Sequence, residues 1–360
     1  MDNKHQYPDK NQFSEYRYLI YLVDFIKNSL SLLFPIENIK SLNTNIRADI
    51  LAGVTVGIIA LPLALAFGEI SGLGPVAGIL GAIAGGIVGG IFGGCLVGVS
   101  GPTAPKAAQI SAFIGMFVIG STRNPDLTAA FSIIFLSGLI LVAISFLRIS
   151  HLIHYTPYPV IAGFMCGIGV IVIITQINVF MGIESNHSIH EVFINFKSSM
   201  NSLNIEALYV SIPSLVILFL WHPLERKINI IKYIPSPLIA LIAGTCIAYF
   251  MNLNIPYIGD EMLSTKSSLS FNLYIPDFYR LFEFMGPAIA LAALAILDSL
   301  LSCKVADNMT GIQHNSDRET FGQGMANMAA GFIGGVTTAT ATMRTVANIK
   351  FGAKTPLASI

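Results

Sequence analysis

Three charged side chains stand in otherwise apolar stretches and are candidates for ion chemistry, and Asp298 is the first of them. It follows ten uncharged residues, Ala288 to Leu297, and precedes five more. A carboxylate inside a membrane costs about 2.5–3.5 kcal/mol on insertion scales, so it needs a partner. Ser302 lies four residues further on and shares a helix face with Asp298. This pair predicts an oxygen-lined site for Na⁺ or a proton, with a structural hydrogen bond to a neighbouring helix as the alternative.

The other two charges, Lys106 and Arg344, lie in two segments that resemble each other. These are FGGCLVGVSGPTAPKAA from Phe92 and FIGGVTTATATMRTVA from Phe332. Glycine and proline in the first segment and a threonine cluster in the second disfavour a helical start. Extended backbone at membrane depth survives only where protein or a water-filled cavity supplies its hydrogen bonds. Matching interruptions in two halves of a chain therefore indicate a transporter's substrate site.

Each interrupted segment leads into a helix-compatible run, and the start of that run could bind an anion. Pro105 fits the first turn of one half-helix, with Ser100 or Thr103 near its cap. Thr340 or Thr342 can cap the other half-helix. Free N–H groups and the positive end of the helix dipole attract negative charge at both starts. Two such ends that converge predict an anion site.

The two cations admit structural interpretations as well as functional ones. Lys106 is expected to extend its ammonium to a membrane interface, although it would strengthen an anion site if it stayed inside. For Arg344, contact with the anion and pairing with a carboxylate both remain open.

The overall composition indicates which kind of scaffold must position these residues. Hydrophobic residues make up 54% of the chain, charged residues 11%, and the mean hydropathy is +0.70, which excludes a soluble globule with one core. Twenty basic and 20 acidic residues cancel, so no large positive field exists to hold nucleic acid. Scattered cysteines and the absence of H-E-x-x-H and G-x-S-x-G motifs argue against a structural metal, a disulfide or an intramembrane enzyme.

Apolar segments close to the roughly 20 residues that cross a membrane recur along the chain. The predicted spans are Ile50 to Gly68, Gly74 to Phe92, Ala104 to Ile119, Leu127 to Leu147, Val160 to Met181, Leu208 to Trp221, Ile234 to Met251, Ala288 to Val305, Phe321 to Ile333 and Val336 to about Ala347. The loops on the same side of the membrane as the N-terminus then contain ten Lys and Arg residues, and the loops on the other side contain four. This excess predicts a cytoplasmic N-terminus in a cell membrane. Glycine pairs repeated every four residues from Gly85 to Gly94 are expected to serve helix packing.

The chain divides into a tail and a membrane domain. Residues 1–46 are predicted to form a cytoplasmic tail, in which Tyr16 to Phe34 is an amphipathic segment at the interface. Residues 47–360 form the predicted transport domain.

Several long motifs occur in an order that is specific to one family. They are GVTVGIIALPLALAFGEISGLGPVAG at Gly53, VSGPTAP at Val99, TPYPVIAGFMCGIGVIVI at Thr156, DSLLSCKVADNMTG at Asp298, HNSDRETFGQGMANMAAGFIGG at His314 and ATATMRTVANIKFGAKTPLASI at Ala339. By these motifs the chain resembles the SulP family of sulfate-permease-like anion transporters, also called solute carrier family 26, from about Arg47 to Ile360. Within the family it is most similar to bacterial sodium-dependent bicarbonate carriers.

The resemblance implies an all-α polytopic fold with fourteen segments in two inverted repeats of seven. The third and tenth segments of the family each combine a short strand with a half-helix, and a core domain moves against a gate domain in an elevator-like cycle, usually in a homodimer. By the same resemblance, Thr103, Ala341 and Thr342 contact the anion, and Phe67 on the first helix lines the pocket. Arg344, which is also a candidate for anion binding, adds a charge beside the anion. Na⁺ is surrounded by Asp298, Ser302, Thr340, Ala341 and Thr342.

The sequence also departs from the family pattern. The sodium-coupled bicarbonate carriers have threonine in place of Ser302 and glycine in place of Thr340 and Arg344. The sequence given ends at Ile360, after the tenth segment, so the last four helices and the cytoplasmic STAS domain of the family are absent from it. A fragment with an incomplete second repeat is the resulting expectation.

The expected function is secondary active transport of an inorganic anion of the bicarbonate or sulfate class, by Na⁺ symport and without enzymatic activity. One alternative is a non-functional fragment or a non-transporting membrane scaffold. Another is a proton-coupled carrier of sulfate or dicarboxylates.

Overall fold

The structure is a computed structural model that describes residues 34–114, 118–119, 124–150, 158–183, 189–227, 236–255, 257 and 273–360. Helices account for most of these residues. They are α1 (Ile36–Ser41), α2 (Ile46–Ile70), α3 (Pro75–Ala84), a π-helical turn (Gly85–Gly89), α4 (Gly90–Phe92), α5 (Ala104–Ile114), α6 (Leu127–Phe146), α7 (Tyr158–Phe180), α8 (Ile189–Asn201), α9 (Ile205–Lys227), α10 (Ser236–Phe250), α11 (Leu281–Thr310), α12 (Ser316–Ile333) and α13 (Thr342–Lys350), with 3₁₀ turns at Phe278–Arg280 and Pro356–Ala358. The strands are β1 (Ser100–Gly101), β2 (Val118–Ile119), β3 (Asn124–Pro125) and β4 (Ala339–Thr340).

Several helices are long and apolar enough to cross a membrane, which confirms the predicted all-α polytopic fold. Among the described residues these segments are Ile46–Ile70, Pro75–Phe92, Leu127–Phe146 and Phe278–Thr310, and two shorter apolar helices cover Ile205–Trp221 and Ser236–Phe250. The predicted interfacial segment Tyr16 to Phe34 lies outside the described residues except for Phe34.

Several predicted spans need correction at their ends. The span predicted from Ala104 to Ile119 is too long, because α5 ends at Ile114 and Val118–Ile119 forms β2, which pairs with β3. An apolar run alone does not separate a helix from a buried strand. Helix α11 reaches Thr310, where Gly311 ends it at φ 74°, and α12 begins at Ser316 because Asn315 caps it. Both helices extend into polar residues that a count of apolar residues leaves out.

The centre of the molecule is built on α6 and α12, whose backbones touch at glycines. A Cβ added at Gly138 of α6 would lie 2.6 Å from the carbonyl oxygen of Gly324, and one added at Gly331 would lie 2.7 Å from the amide nitrogen of Phe135. Such close approach is how membrane helices gain packing contacts when lipid supplies no hydrophobic driving force. Around this contact the buried core includes side chains from α5, α6, α11 and α12, among them Ile110, Phe131, Ile134, Phe284, Leu291 and Ala330.

The glycine stripe that leads from α3 towards β1 lets neighbouring segments pack closely against it, as predicted. A Cβ on Gly85 would lie 2.9 Å from the amide nitrogen of Gly101, and a Cβ on Gly89 would lie 2.8 Å from Oγ of Ser100. The same stripe contains the π-helical turn. These glycines therefore let β1 lie directly against the α3–α4 segment.

The two interrupted segments meet at the centre of the fold. Strands β1 and β4 pair antiparallel, with Ser100 opposite Thr340 and Gly101 opposite Ala339. Helix α5 begins at Ala104 after β1, and α13 begins at Thr342 after β4. Antiparallel strands end at opposite ends of their ladder, but each of these strands has only two residues. The helix starts that follow them, at Ala104 and Thr342, therefore still lie close enough to line one cavity.

Candidate functional site

A cavity of about 530 Å³ lies at the two half-helix N-termini. Its walls come from α2, the starts of α5 and α13, Asp298 of α11, Trp221 of α9 and the start of α10. All five residues expected at the anion site and the candidate carboxylate line it: Phe67, Thr103, Asp298, Ala341, Thr342 and Arg344. Trp221 and Pro237 also line the cavity. Sequence reasoning missed these two, because nothing in their local pattern places α9 and α10 opposite the half-helices.

The N-terminus of α13 opens onto the cavity without a side-chain cap. Ala341 occupies the N-cap position and makes no capping hydrogen bond through a side chain. The prediction that Thr340 or Thr342 caps this helix is wrong, because both hydroxyls are used elsewhere. The first-turn N–H groups of α13 have no acceptor within the helix, and with the dipole they favour an anion in front of it.

Asp298 is buried and joins α11 to the first half-helix. Its Oδ2 accepts a hydrogen bond of 2.7 Å from Oγ1 of Thr103, and its residue exposure is 8%. A hydrogen bond to an ionised acceptor contributes more than a neutral one. The structural hydrogen bond left open as the alternative for Asp298 is therefore present, and the carboxylate also lines the cavity.

Ser302 joins the same helix to the second half-helix. Its hydroxyl donates to the carbonyl oxygen of Asp298 at 2.8 Å and shares a hydrogen bond of 2.7 Å with Oγ1 of Thr342. Ser302 is fully buried behind the cavity wall. Asp298 and Ser302 thus hold the starts of both half-helices against one face of α11.

Thr340 directs its hydroxyl to the other side of β4. There it donates to Oε1 of Glu319 and accepts from Nε2 of Gln323 at 2.8 Å. Its backbone nitrogen donates to Oγ of Ser299 at 3.1 Å. Of the residues expected around Na⁺, Asp298, Ala341 and Thr342 line the cavity, while Thr340 and Ser302 stand behind it.

Arg344 crosses the paired strands and reaches the cavity wall. Its Nη2 donates to the carbonyl oxygen of Pro102 at 2.6 Å, and its exposure is 2%. Within the described residues, no ion pair within 4.0 Å joins it to a carboxylate. Of the two interpretations left open for Arg344, pairing with a carboxylate is therefore not observed among the described residues. The guanidinium instead borders the cavity.

The guanidinium of Arg344 occupies the space where Gly101 has no side chain, since a Cβ on Gly101 would collide with Nη1. We expect Gly101→Ala to lower the apparent unfolding temperature of the detergent-solubilised protein. In an Arg344→Gly background the same substitution should have little effect, with a coupling free energy of about 0.5–3 kcal/mol between the two sites. An equal effect of Gly101→Ala in both backgrounds would show that another contact makes Gly101 necessary.

Lys106 does not reach a membrane interface, so that prediction is wrong. It is fully buried, and Nζ donates to the carbonyl oxygen of Thr338 and lies 3.5 Å from Oδ1 of Asn327. These contacts tie the ammonium to α12 and to the residue before β4, and the side chain does not reach water. Asn327 also binds the backbone of Thr338 through both ends of its amide.

A ladder of polar residues on α12 holds the two strands from behind, and sequence reasoning missed it. Oε2 of Glu319 accepts from the backbone nitrogens of Gly94 and Cys95 at 2.9 and 3.0 Å. Nε2 of Gln323 lies 2.9 Å from Oε1 of Glu319 and 2.6 Å from Oγ of Ser100, and it shares its two hydrogens among these groups and Thr340. The signal was available, because Glu319, Gln323 and Asn327 recur every four residues and share one helix face.

The chain matches the model of the sulfate permease family over residues 46–360. It is 34% identical over 321 residues to the bicarbonate transporter BicA of Picosynechococcus sp., an alignment that covers 88% of this chain and 56% of the relative. It is 30% identical over 323 residues to YvdB of Bacillus subtilis, which carries the name of a sulfate transporter, with 87% and 57% covered. The chain thus spans little more than half the length of these curated relatives.

Among solved structures, the fold is similar to the transmembrane domain of a cyanobacterial bicarbonate transporter, BicA. The TM-score is 0.76 at 31% sequence identity, and the match covers 88% of this chain and 80% of that chain. A structure of SLC26A9 matches with a TM-score of 0.72 at 20% identity, which bears on the fold alone.

Proposed function

This chain belongs to the sulfate permease family, and on that premise we propose that it carries a small inorganic anion, of the bicarbonate or sulfate class, across a membrane by secondary active transport. One observation supports this most strongly: the β1–β4 pair directs two half-helix N-termini into one cavity that Arg344 also borders. A buried site with N–H groups and a guanidinium, in a helix bundle, suits an anion. The matching family and the relatives are named as transporters, which argues against the enzyme alternative.

We further propose Na⁺ as the coupling ion, with Asp298 as its anionic ligand. The carboxylate borders the same cavity as the anion-facing groups, so one movement could expose or enclose both ions. Oxygen ligands from side chains and unwound backbone are the usual partners of Na⁺ in such folds. Ser299 and Ser302, on the same helix as Asp298, bind the backbone nitrogen of Thr340 and the hydroxyl of Thr342. Ala341 lines the same cavity as Asp298.

The proposed transport cycle is an elevator-like movement. In it, the unit that carries α5, α11 and α13 moves against α9 and α10, since these two groups of helices face each other across the cavity. The orientation with a cytoplasmic N-terminus in the cell membrane and assembly as a homodimer belong to the same proposal.

The test is uptake of labelled bicarbonate and sulfate by the full-length protein in liposomes, with and without an inward Na⁺ gradient. Uptake above that of protein-free liposomes, increased by Na⁺, is the expected result. Uptake driven by a proton gradient and indifferent to Na⁺ would instead favour the proton-coupled alternative. No uptake of either anion by folded, reconstituted protein would refute transport and leave the scaffold interpretation.

A further inference from the structure

The hydroxyl of Thr103 stands between the two proposed ion sites. Thr103 occupies the N-cap position of α5, since its carbonyl oxygen accepts the first helical hydrogen bond from the amide nitrogen of Ala107 at 2.9 Å. An anion in front of the first-turn N–H groups of α5 therefore lies beside this hydroxyl. On its other side, Oγ1 of Thr103 donates to Oδ2 of Asp298 at 2.7 Å, and both residues line the cavity.

This hydroxyl has two competing acceptors but only one proton to donate. An ionised carboxylate only accepts hydrogen bonds, so the 2.7 Å contact commits the proton of Thr103 to Asp298. An anion in the cavity is also an acceptor, and it competes with Asp298 for the same proton. Because hydrogen bonds to charged acceptors are the stronger ones, the outcome of this competition bears directly on anion affinity.

The hydroxyl at the start of the other half-helix has a different acceptor. Ser302 donates its proton to the carbonyl oxygen of Asp298 at 2.8 Å, so Thr342 is the donor in the 2.7 Å contact between Thr342 and Ser302. The acceptor of the Thr342 proton is thus a neutral hydroxyl. A cation that binds the carboxylate acts more directly on Thr103, whose acceptor is the carboxylate itself.

The carboxylate of Asp298 can bind a cation without losing other partners. Among the described residues, Thr103 is the one side chain that donates a hydrogen bond to it, through Oδ2, and Oδ1 accepts none. A cation on the carboxylate offsets the negative charge that attracts the Thr103 proton. The hydroxyl oxygen can then turn a lone pair towards the cation, and its proton points away from the cation.

We propose that Thr103 is the residue that couples the two ions: Na⁺ on Asp298 turns the hydroxyl proton of Thr103 from the carboxylate to the anion. The hydroxyl then raises the affinity for the anion when Na⁺ is bound and, by reciprocity, the affinity for Na⁺ when the anion is bound. The inference rests on the proposed function, since it assigns the link between the two ions that share the cavity.

The experiment measures the KM of anion uptake at low and at saturating Na⁺ for the full-length protein, Thr103→Val and Thr103→Ser in liposomes with a clamped membrane potential. The labelled anion is bicarbonate or sulfate, whichever the unmodified protein takes up. For the unmodified protein we expect KM to fall about tenfold as Na⁺ rises. Thr103→Val keeps the size of the side chain but has no proton to donate, so its KM should change by less than about threefold. Thr103→Ser should keep the tenfold change.

Thr345→Val is the matched control. Thr345 is buried in the first turn of α13, where Oγ1 accepts a hydrogen bond of 3.1 Å from the backbone nitrogen of Val99, and it does not line the cavity. Loss of this structural hydrogen bond can lower the rate of uptake but should leave the Na⁺ dependence of KM unchanged. A tenfold change that persists in Thr103→Val, or its loss in Thr103→Ser, overturns the proposal.

If Thr103→Val does not fold, Thr103→Cys takes its place, because a thiol is a weak donor. A full Na⁺ dependence of KM in this variant likewise overturns the inference, and all these outcomes leave the proposed function standing. Uptake by the unmodified protein that Na⁺ does not increase refutes Na⁺ coupling, and failure to take up either anion refutes transport itself. The inference falls with either result.

Discussion

Asp298→Asn is expected to reduce Na⁺-stimulated anion uptake by about 10- to 100-fold, because a hydrogen bond to a charged group contributes about 1.5–3 kcal/mol and each 1.4 kcal/mol is tenfold. The substitution removes the only negative charge among the described residues that line the cavity. It also turns the acceptor of the Thr103 hydroxyl into a group that can present N–H instead. The measurement is the initial rate of uptake in liposomes at several Na⁺ concentrations.

Glu283→Gln is the matched control for this prediction. Glu283 lies on the same helix, but its side chain is 56% exposed and it pairs with Arg280. Surface pairs of this kind contribute about 0–1 kcal/mol, so uptake should stay close to that of the unmodified protein. If Asp298→Asn keeps both its rate and its dependence on Na⁺, Asp298 has no part in coupling, and the cation site must be sought elsewhere.

Gly138→Leu is expected to destabilise the fold strongly. A Cβ at Gly138 would lie 2.6 Å from the backbone of α12 at two points, the carbonyl oxygen of Gly324 and the amide nitrogen of Met328. Overpacking a core costs about 1–3 kcal/mol when side chains can give way, and here two helix backbones must separate instead. At roughly 2–4 °C per kcal/mol, the apparent unfolding temperature in detergent should fall by about 10 °C.

The control for this prediction is Gly167→Leu on α7. Gly167 is exposed, and a Cβ there meets nothing within 4 Å. Its unfolding temperature and its elution as a single species on size exclusion should match those of the unmodified protein. If the unfolding temperature falls equally in both variants, a larger side chain at any membrane glycine lowers stability, and the α6–α12 contact is not the cause.

The position of the site could be predicted from sequence because its signals are local. Asp298 stands out against its apolar neighbours, and the two segments around Thr103 and Thr342 are interrupted by residues that disfavour helix. Both interruptions form strands that pair, as an anion site between them requires. The glycine stripe could also be predicted from the sequence, because residues spaced four apart lie on one face of a helix.

The contacts of individual side chains at this site depend on partners that lie far away in the sequence. The oxygen atoms that receive Lys106 lie 221 and 232 residues further along the chain, so a local pattern could only suggest an escape to the interface. The hydroxyl of Thr340 turns away from the cavity because Glu319 and Gln323 stand behind β4. Arg344 finds the carbonyl of Pro102 and the empty space at Gly101 only after the strands have paired.

The sequence by itself determined that this is a membrane-embedded helical protein with two broken segments, each of which carries one cation, and with an acid in an apolar helix. Hydropathy, glycine spacing and helix-breaking residues are signals within short stretches of sequence. Their structural consequences can therefore be predicted without coordinates. The tertiary structure alone decided which hydroxyls face the cavity, that Lys106 stays inside, and that α9 and α10 complete the wall. Those outcomes depend on hydrogen bonds and packing between residues far apart in the chain, and only the folded arrangement brings them together.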